Sequence, residues 1–338
     1  MIKVSFIIPM FNASKTLDRL LISLSHQGLG NNEIEAIFVD DSSTNGSAEY
    51  LENLKGKFPF IKLHRGKQLG PGGGRNIGMQ FALGKYLWFV DADDYLGEGA
   101  ALRLFKIMEQ NDLDLLEFDF YNDYQNPIAP KADFFRHDIN QGPVLSEFDY
   151  MCKYGYRKTV TTAMMNNSFV QKQKMYFVLN RGHEDAIYMP KLMSYASRVA
   201  YYPCAAYAYV RTAGTLSSPK TLQQYQKYVA DSMQALDSLN DLKKDFISRG
   251  APDKIIQHLL VHRETITFFM MYKMRFIPTS FKALLEFHRE LKRKEFLPLR
   301  YFGVLDYRNL KFKFLRCVSN QQLFYALCIK FFHLRAKI

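Results

Sequence analysis

A chain of 338 residues with 48% hydrophobic and 15% aromatic side chains has ample material for a core, which excludes disorder, and its length suits roughly two domains. Its four cysteines, Cys152, Cys204, Cys317 and Cys328, form no C-x-x-C pair, so neither a zinc framework nor a disulfide scaffold is suggested and a reducing cytosol fits. The formal charge of +12 is uneven: 23 Lys+Arg balance 23 Asp+Glu from Met1 to Pro219, whereas 22 stand against 10 from Lys220 to Ile338, which marks two modules with different partners.

The N-terminus runs straight into a strand and lacks the apolar core and cleavage site of a signal peptide. The longest apolar stretch, Leu323 to Leu334, is interrupted by Lys330 and is too short to span a bilayer. A cytoplasmic protein is expected. Lys3 to Ile8 is apolar and β-branched and reads as a strand ended by Pro9. Leu17, Leu20, Leu21 and Leu24 follow at helical spacing. Ile34 to Val39 is a second strand, ending in Asp40-Asp41, and a helix over about 48–54 and a short strand over 61–64 come next. This βαβαβ order predicts a doubly wound, mostly parallel sheet. Asp41, at a strand end, suits a hydrogen bond to a base N–H or a ribose hydroxyl; capping the next helix is the alternative for both acids.

Gly70-Pro71-Gly72-Gly73-Gly74-Arg75 matches neither a dinucleotide fingerprint nor a P-loop. It reads as a turn before a helix over 75–83, with glycines permitting close backbone approach to a ligand and Arg75 suited to a phosphate. Lys85 to Val90 is a continuous apolar run that ends in Asp91-Ala92-Asp93-Asp94. Ligands of open α/β sheets lie beyond the carboxyl ends of the strands. There the alternation of an extended chain would set Asp91 and Asp93 on one side, able to hold a hard cation beside a phosphate. A solvated acidic turn is the plainer reading.

A helix over 98–111 and a strand over 114–120 follow, and Gln125 to Gln141 reads as an excursion or lid. Thr159 to Val170 predicts strand then helix. Glu184-Asp185 opens another helix, where two acids either complement the macrodipole or supply a general base. His183 beside them reads as a satisfied polar residue, with a metal ligand or a sugar contact as the alternatives. Val199 to Val210 is a strand, and 211–218 a loop. Helices are then expected over 219–249, 252–275, 279–293 and 319–334, the first started by Ser218-Pro219 and the last by a Ser319-x-x-Gln322 capping box. After Asp306 there is no acid, while basic residues interleave with aromatic ones, a pattern suited to an anionic membrane surface; a helical partner domain with an ordinary basic exterior is the plainer reading.

Ser5–Asn12, Phe38–Ser47, Gly70-Pro71 with Arg75–Gly78, Phe89–Asp94 and Glu184-Asp185 occur in that order. Together they resemble glycosyltransferase family two, whose catalytic domain has the GT-A fold. The resemblance covers about the first 215 residues and implies a catalytic domain over 1–217, followed by a helical, basic C-terminal domain over 218–338 that lies outside it. It also implies inverting transfer from a nucleotide-diphosphate sugar, usually UDP-linked, to a glycan or lipid-linked hydroxyl acceptor, with Mn²⁺ or Mg²⁺. Carried over position by position, Pro9, Phe11 and Asn12 line the nucleotide pocket, Asp41 meets the uracil, and Arg75 lies near the base or diphosphate. Asp91 and Asp93 form the Asp-x-Asp metal site, with Asp91 nearer the ribose. Asp185 is the base, Glu184 the alternative if the register shifts by one, and Arg211 belongs to a loop closing over the donor. Gly74 departs from the alanine usual before Arg-Asn, which suggests a looser loop.

Such a protein is expected in the cytoplasm, peripheral on the membrane's cytoplasmic face, with no nucleic-acid partner. A sugar-nucleotide nucleotidyltransferase is the alternative enzyme, though the usual glycine-rich basic loop after the first strand is replaced by Pro9-Met10-Phe11-Asn12. A catalytically silent nucleotide-binding scaffold is the other alternative.

Overall fold

The computed structural model describes residues 1–123, 142–179, 182–210, 221–302 and 310–335, and the chain divides into two compact units, Met1–Thr212 and Ala213–Ile338. In the first, the apolar run Val4–Met10 forms β1, buried except at Pro9. Around it lie β2 (Ile34–Asp40), β3 (Ile61–Arg65), β4 (Tyr86–Phe89), β5 (Tyr95–Leu96), β6 (Leu115–Asp123), β7 (Ala163–Asn166) and β8 (Val199–Val210), in the sheet order β3-β2-β1-β4-β7-β6-β8-β5. Neighbours from β3 to β4 are parallel, as are β6 and β8, whereas β7 runs against both β4 and β6, and β5 against β8. Helices α1 (Leu17–Ser25), α2 (Ser47–Leu54), α3 (Gly70–Phe81), α4 (Ala100–Asn111), α5 (Glu147–Tyr154), α6 (Asn167–Gln173) and α7 (Glu184–Met193) complete the unit. Leu17, Leu20, Leu21 and Leu24 of α1 are all buried, so the predicted stripe is the packed one.

Two local expectations fail for stated reasons. Pro9 does not end β1, which pairs with β2 as far as Met10–Asp40. The β4 ladder has already stopped at the Ile7–Phe89 pair, so Pro9 has a strand on one side only, the edge-like setting that tolerates proline. The glycine run, expected as a turn, is the first half of α3. Helix propensity opposes this, and tertiary contact overrides it. A Cβ on Gly74 would come within 2.8 Å of Pro9 Cβ, and one on Gly78 within 2.4 Å of Ile7 Cγ2. The glycines thus bring α3 down onto β1, and Gly74 tightens a helix contact instead of loosening a loop. Gly78→Ala is expected to lower stability by about 1–3 kcal/mol through overpacking, despite alanine's better helix propensity. A raised urea midpoint in that variant would refute the close contact.

The second unit is helical: α8 (Leu222–Ser248), α9 (Asp253–Lys273), α10 (Phe281–Arg293), α11 (Leu310–Asn320) and α12 (Gln322–Arg335). Ser218-Pro219 lies outside the described residues. Thr221 caps α8, with a reciprocal Gln224 capping box. The box expected at Ser319 is absent because Ser319 is still inside α11. Its carbonyl accepts from His288 Nε2 at 2.9 Å, and Gln322 Nε2 donates to the Leu285 carbonyl at 2.8 Å.

Candidate active site

Helix α3 ties the expected residues together. At its start Asp41 accepts the backbone N–H groups of Leu69 and Gly70, both at 2.8 Å. The acid therefore anchors a helix 28 residues downstream, and α2 begins instead after Gly46 in a left-handed conformation. Asp40 is buried, paired with Arg65 Nη1 at 2.9 Å and accepting from Ser43 N at 3.2 Å. One turn into α3, Arg75 is 3% exposed and reaches three carboxylates: Nη2 donates to Asp91 Oδ1 at 2.9 Å, and Nη1 to Asp185 Oδ1 at 2.8 Å and Glu184 Oε1 at 3.3 Å. Arg75, expected near a base or diphosphate, is enclosed by these acids.

Arg75 is held from one side by an aromatic stack. Its guanidinium lies 5.4 Å from the Phe177 ring centroid, and Phe177 stacks on Tyr188 of α7 at 3.8 Å. Asn76 fixes Phe177 by bonding both its backbone groups, N–H at 2.8 Å and carbonyl at 2.9 Å. Phe177 is thereby pinned to α3, and its stack on Tyr188 holds α7, with Glu184 and Asp185 in its first turn, beside Arg75. Asn76 stands in the Arg75–Gly78 motif, whereas Phe177 and Tyr188 carry no signal in the sequence.

The acidic stretch after β4 is a turn and not the extended segment expected: Asp94 N donates to Asp91 O at 3.1 Å. Its backbone is tied on every side. Asp91 N donates to Tyr207 Oη at 3.1 Å, Ala92 O accepts from Thr16 Oγ1 at 2.7 Å, and Asp93 O accepts from Arg19 Nη2 at 2.6 Å. Asp94 is buried and takes hydrogen bonds from Tyr207 Oη and Val210 N, so it is an anchor. Burial, with Asp91 and Asp93 nearby, pushes its carboxyl up to about 8. The side chains left half-buried in this turn are Asp91 and Asp93. Burial, then the neighbouring Asp91 charge, raises Asp93. Two crowded, half-buried carboxylates present hard oxygen donors to a hard cation, which takes one or two carboxylates together with substrate phosphate oxygens. Asp91 and Asp93 fit Mg²⁺ or Mn²⁺ on that ground, although among the described residues no group of three or more potential ligands surrounds a single point.

Asn12 has a left-handed backbone, φ 52°. Its N–H donates to Ser43 Oγ and its Oδ1 accepts from Thr44 N, both at 2.9 Å. This fastens the β1 and β2 loops together and leaves Phe11 exposed. His183 precedes α7 in a left-handed conformation. Arg211 lies outside the described residues, as do the 125–141 excursion and the 215–218 loop.

Burial, and then the Asp185 charge, pushes the Glu184 carboxyl up to about 7, with Arg75 opposing. Asp185 is raised too, by burial, against Arg75 and the Val160 backbone N–H. A carboxyl whose folded pKa exceeds its unfolded value holds its proton more tightly when folded. Its contribution to stability is therefore greatest at low pH and is lost as pH rises from about 4.5 through about 7. Glu184→Gln should flatten that part of the stability–pH curve and gain on the order of 2 kcal/mol over wild type at pH 8. Parallel urea curves for the two proteins across that window would contradict this.

Residues 5–164 match the family model Glycosyl transferase family 2. Among relatives, a poly(ribitol-phosphate) beta-glucosyltransferase of Bacillus spizizenii is 35% identical over 115 residues, covering 33% of this chain and 18% of that one, so the chain spans under a fifth of that relative's length. Among solved structures, Staphylococcus aureus TarS 1-349 in complex with UDP-GlcNAc superposes with a TM-score of 0.66 at 18% identity, covering 99% of this chain and 92% of that one. A mannosyltransferase from Pyrobaculum calidifontis, in complex with GDP-Man and Mn²⁺, gives 0.54 at 13% identity, covering 99% and 88%. The fold is GT-A, and the likeness to glycosyl transferase family 2 lies in the N-terminal unit, over just under half of the chain.

Proposed function

We propose that this protein is an inverting glycosyltransferase that moves a sugar from a UDP donor to a hydroxyl of a cell-surface polymer or lipid-linked glycan. One observation carries the reading: Arg75 binds Asp91 through one nitrogen and Asp185 through the other. Carboxylates 94 positions apart in sequence thus meet at one place. In-line displacement at an anomeric carbon needs a base on the acceptor and neutralisation of the departing diphosphate. Asp185 takes the proton of the acceptor hydroxyl. Arg75 holds Oδ1 of Asp185 and fixes Asp91 in the same grip, so base and donor site keep a constant separation. Asp91 and Asp93 would hold a divalent cation, which supplies Lewis-acid neutralisation of the diphosphate when bound. Asp41 and Asn12 shape the nucleotide side, where Pro9 and Phe11 also lie, and Arg211 is assigned to the donor-closing loop. The UDP preference is supported by the TarS neighbour, solved with UDP-GlcNAc, and a cell-surface polymer as acceptor by the poly(ribitol-phosphate) relative, whereas the mannosyltransferase neighbour holds GDP-Man.

The test is thermal-shift screening against nucleotide sugars with Mn²⁺, followed by Asp93→Ala. That variant should lose transfer by about a hundredfold or more and bind UDP more weakly in Mn²⁺, with no change in the presence of a chelator. Equal UDP affinity for both proteins in Mn²⁺ would take Asp93 out of the metal's site. Mn²⁺-dependent donor hydrolysis by the wild-type chain separates an enzyme from a silent scaffold.

A further inference from the structure

Helix α12 contains two charged residues, Lys330 and Arg335, in 14, and a helix so apolar is normally enclosed on all sides. Here one face is packed: Tyr325, Ala326 and Ile329 are buried. Polar groups are turned inward. Tyr325 Oη donates to Met271 O at 3.2 Å, Lys330 Nζ to Thr279 O at 3.1 Å, and His333 Nε2 lies 3.2 Å from Met274 O. The other face carries Leu323, Phe324, Leu327 and Leu334. With Leu310 and Phe314 of α11 these residues are between 51% and 83% exposed. Lys311 and Lys313 are exposed on α11, and from 310 to 335 there is no acidic residue.

We infer that the exposed faces of α11 and α12 form a docking surface for an anionic phospholipid bilayer, lying in its headgroup plane. Charge selects this occupant. A second copy applied to the same face would oppose lysine to lysine with no acid on either helix, whereas anionic headgroups complement both. Length excludes crossing, since α12 is about 21 Å long at 1.5 Å per residue and a bilayer's hydrocarbon core is ~30 Å thick. Exposed leucine and phenylalanine enter the acyl boundary while the lysines stay at headgroup level. The inference concerns the helical unit and does not depend on the donor chemistry.

The experiment is flotation of the full chain with vesicles of one part phosphatidylglycerol to two parts phosphatidylcholine, against phosphatidylcholine alone. Wild type should float with the anionic vesicles and bind the neutral ones about tenfold less. Phe324→Ser with Leu327→Ser should lose the binding that survives high salt, and Lys311→Glu with Lys313→Glu should abolish the preference for anionic vesicles. Circular dichroism checks that both variants stay folded, and all four side chains are exposed. Two results overturn the proposal. One is equal flotation of wild type and both variants. The other is a wild-type dimer in light scattering that the serine variant dissociates, with no vesicle binding, which would assign the face to a second copy.

Discussion

Asp185→Asn should cut sugar transfer by about 10²–10⁴-fold, the usual worth of a general base, and leave UDP affinity nearly unchanged. The asparagine carbonyl can still accept from Arg75 Nη1, so the grip on Asp91 survives. Burial already opposes a charge at this position, so the variant should be no less stable than wild type. Single-turnover kinetics with a saturating donor, alongside calorimetric titration of UDP, tests both halves. If Asp185→Asn transfers normally and Glu184→Gln does not, the base is one residue earlier. If UDP affinity falls in step with transfer, Asp185 belongs to the donor site.

Replacing Arg75 by leucine should have the largest effect on the fold. Its guanidinium is buried among Asp91, Glu184 and Asp185, and removing one partner of a buried ion pair costs about 3–5 kcal/mol because the other charges are left uncompensated. The loss has a pH signature. Arg75 is what holds down Glu184 and Asp185 against burial, so without it their folded pKa values climb further. The folded variant then keeps its protons to higher pH, and the deficit should be greatest at pH 8 and shrink on acidification. Arg75→Lys should restore part of the stability but less of the transfer, since an ammonium cannot span two acids with a planar fork. Urea denaturation at pH 8 and pH 5.5 decides the matter. An equal deficit at both values would mean that packing on Phe177, and not charge, is what Arg75 contributes.

Local pattern and distant contact divide what sequence could tell. The α1 leucines, the strands ending in acid and the helix opening at Glu184 follow from periodicity and composition over a few residues. The glycine run was misread because its own propensity argues for a turn, and only the approach of Pro9 and Ile7, more than sixty positions away, makes it helical. Asp91 to Asp94 was read as extended because nothing nearby shows that Thr16, Arg19 and Tyr207 hold the segment in a turn. Arg75 is the sharpest case. Two of its partners lie 109 and 110 residues away, and nothing near a basic residue after glycines announces them. At the break between α11 and α12, His288 takes the Ser319 carbonyl from 31 residues away, a contact no helical period records.

Trp88 is the chain's one tryptophan. It sits fully buried in β4, with its indole N–H donating to Thr161 O at 2.9 Å. All indole emission from this protein therefore originates three residues before Asp91, in a dry setting that shifts it to the blue. The helical unit is dark by this measure. Fluorescence followed alongside far-ultraviolet dichroism will therefore time the melting of the N-terminal unit apart from that of the helical unit, with no label added.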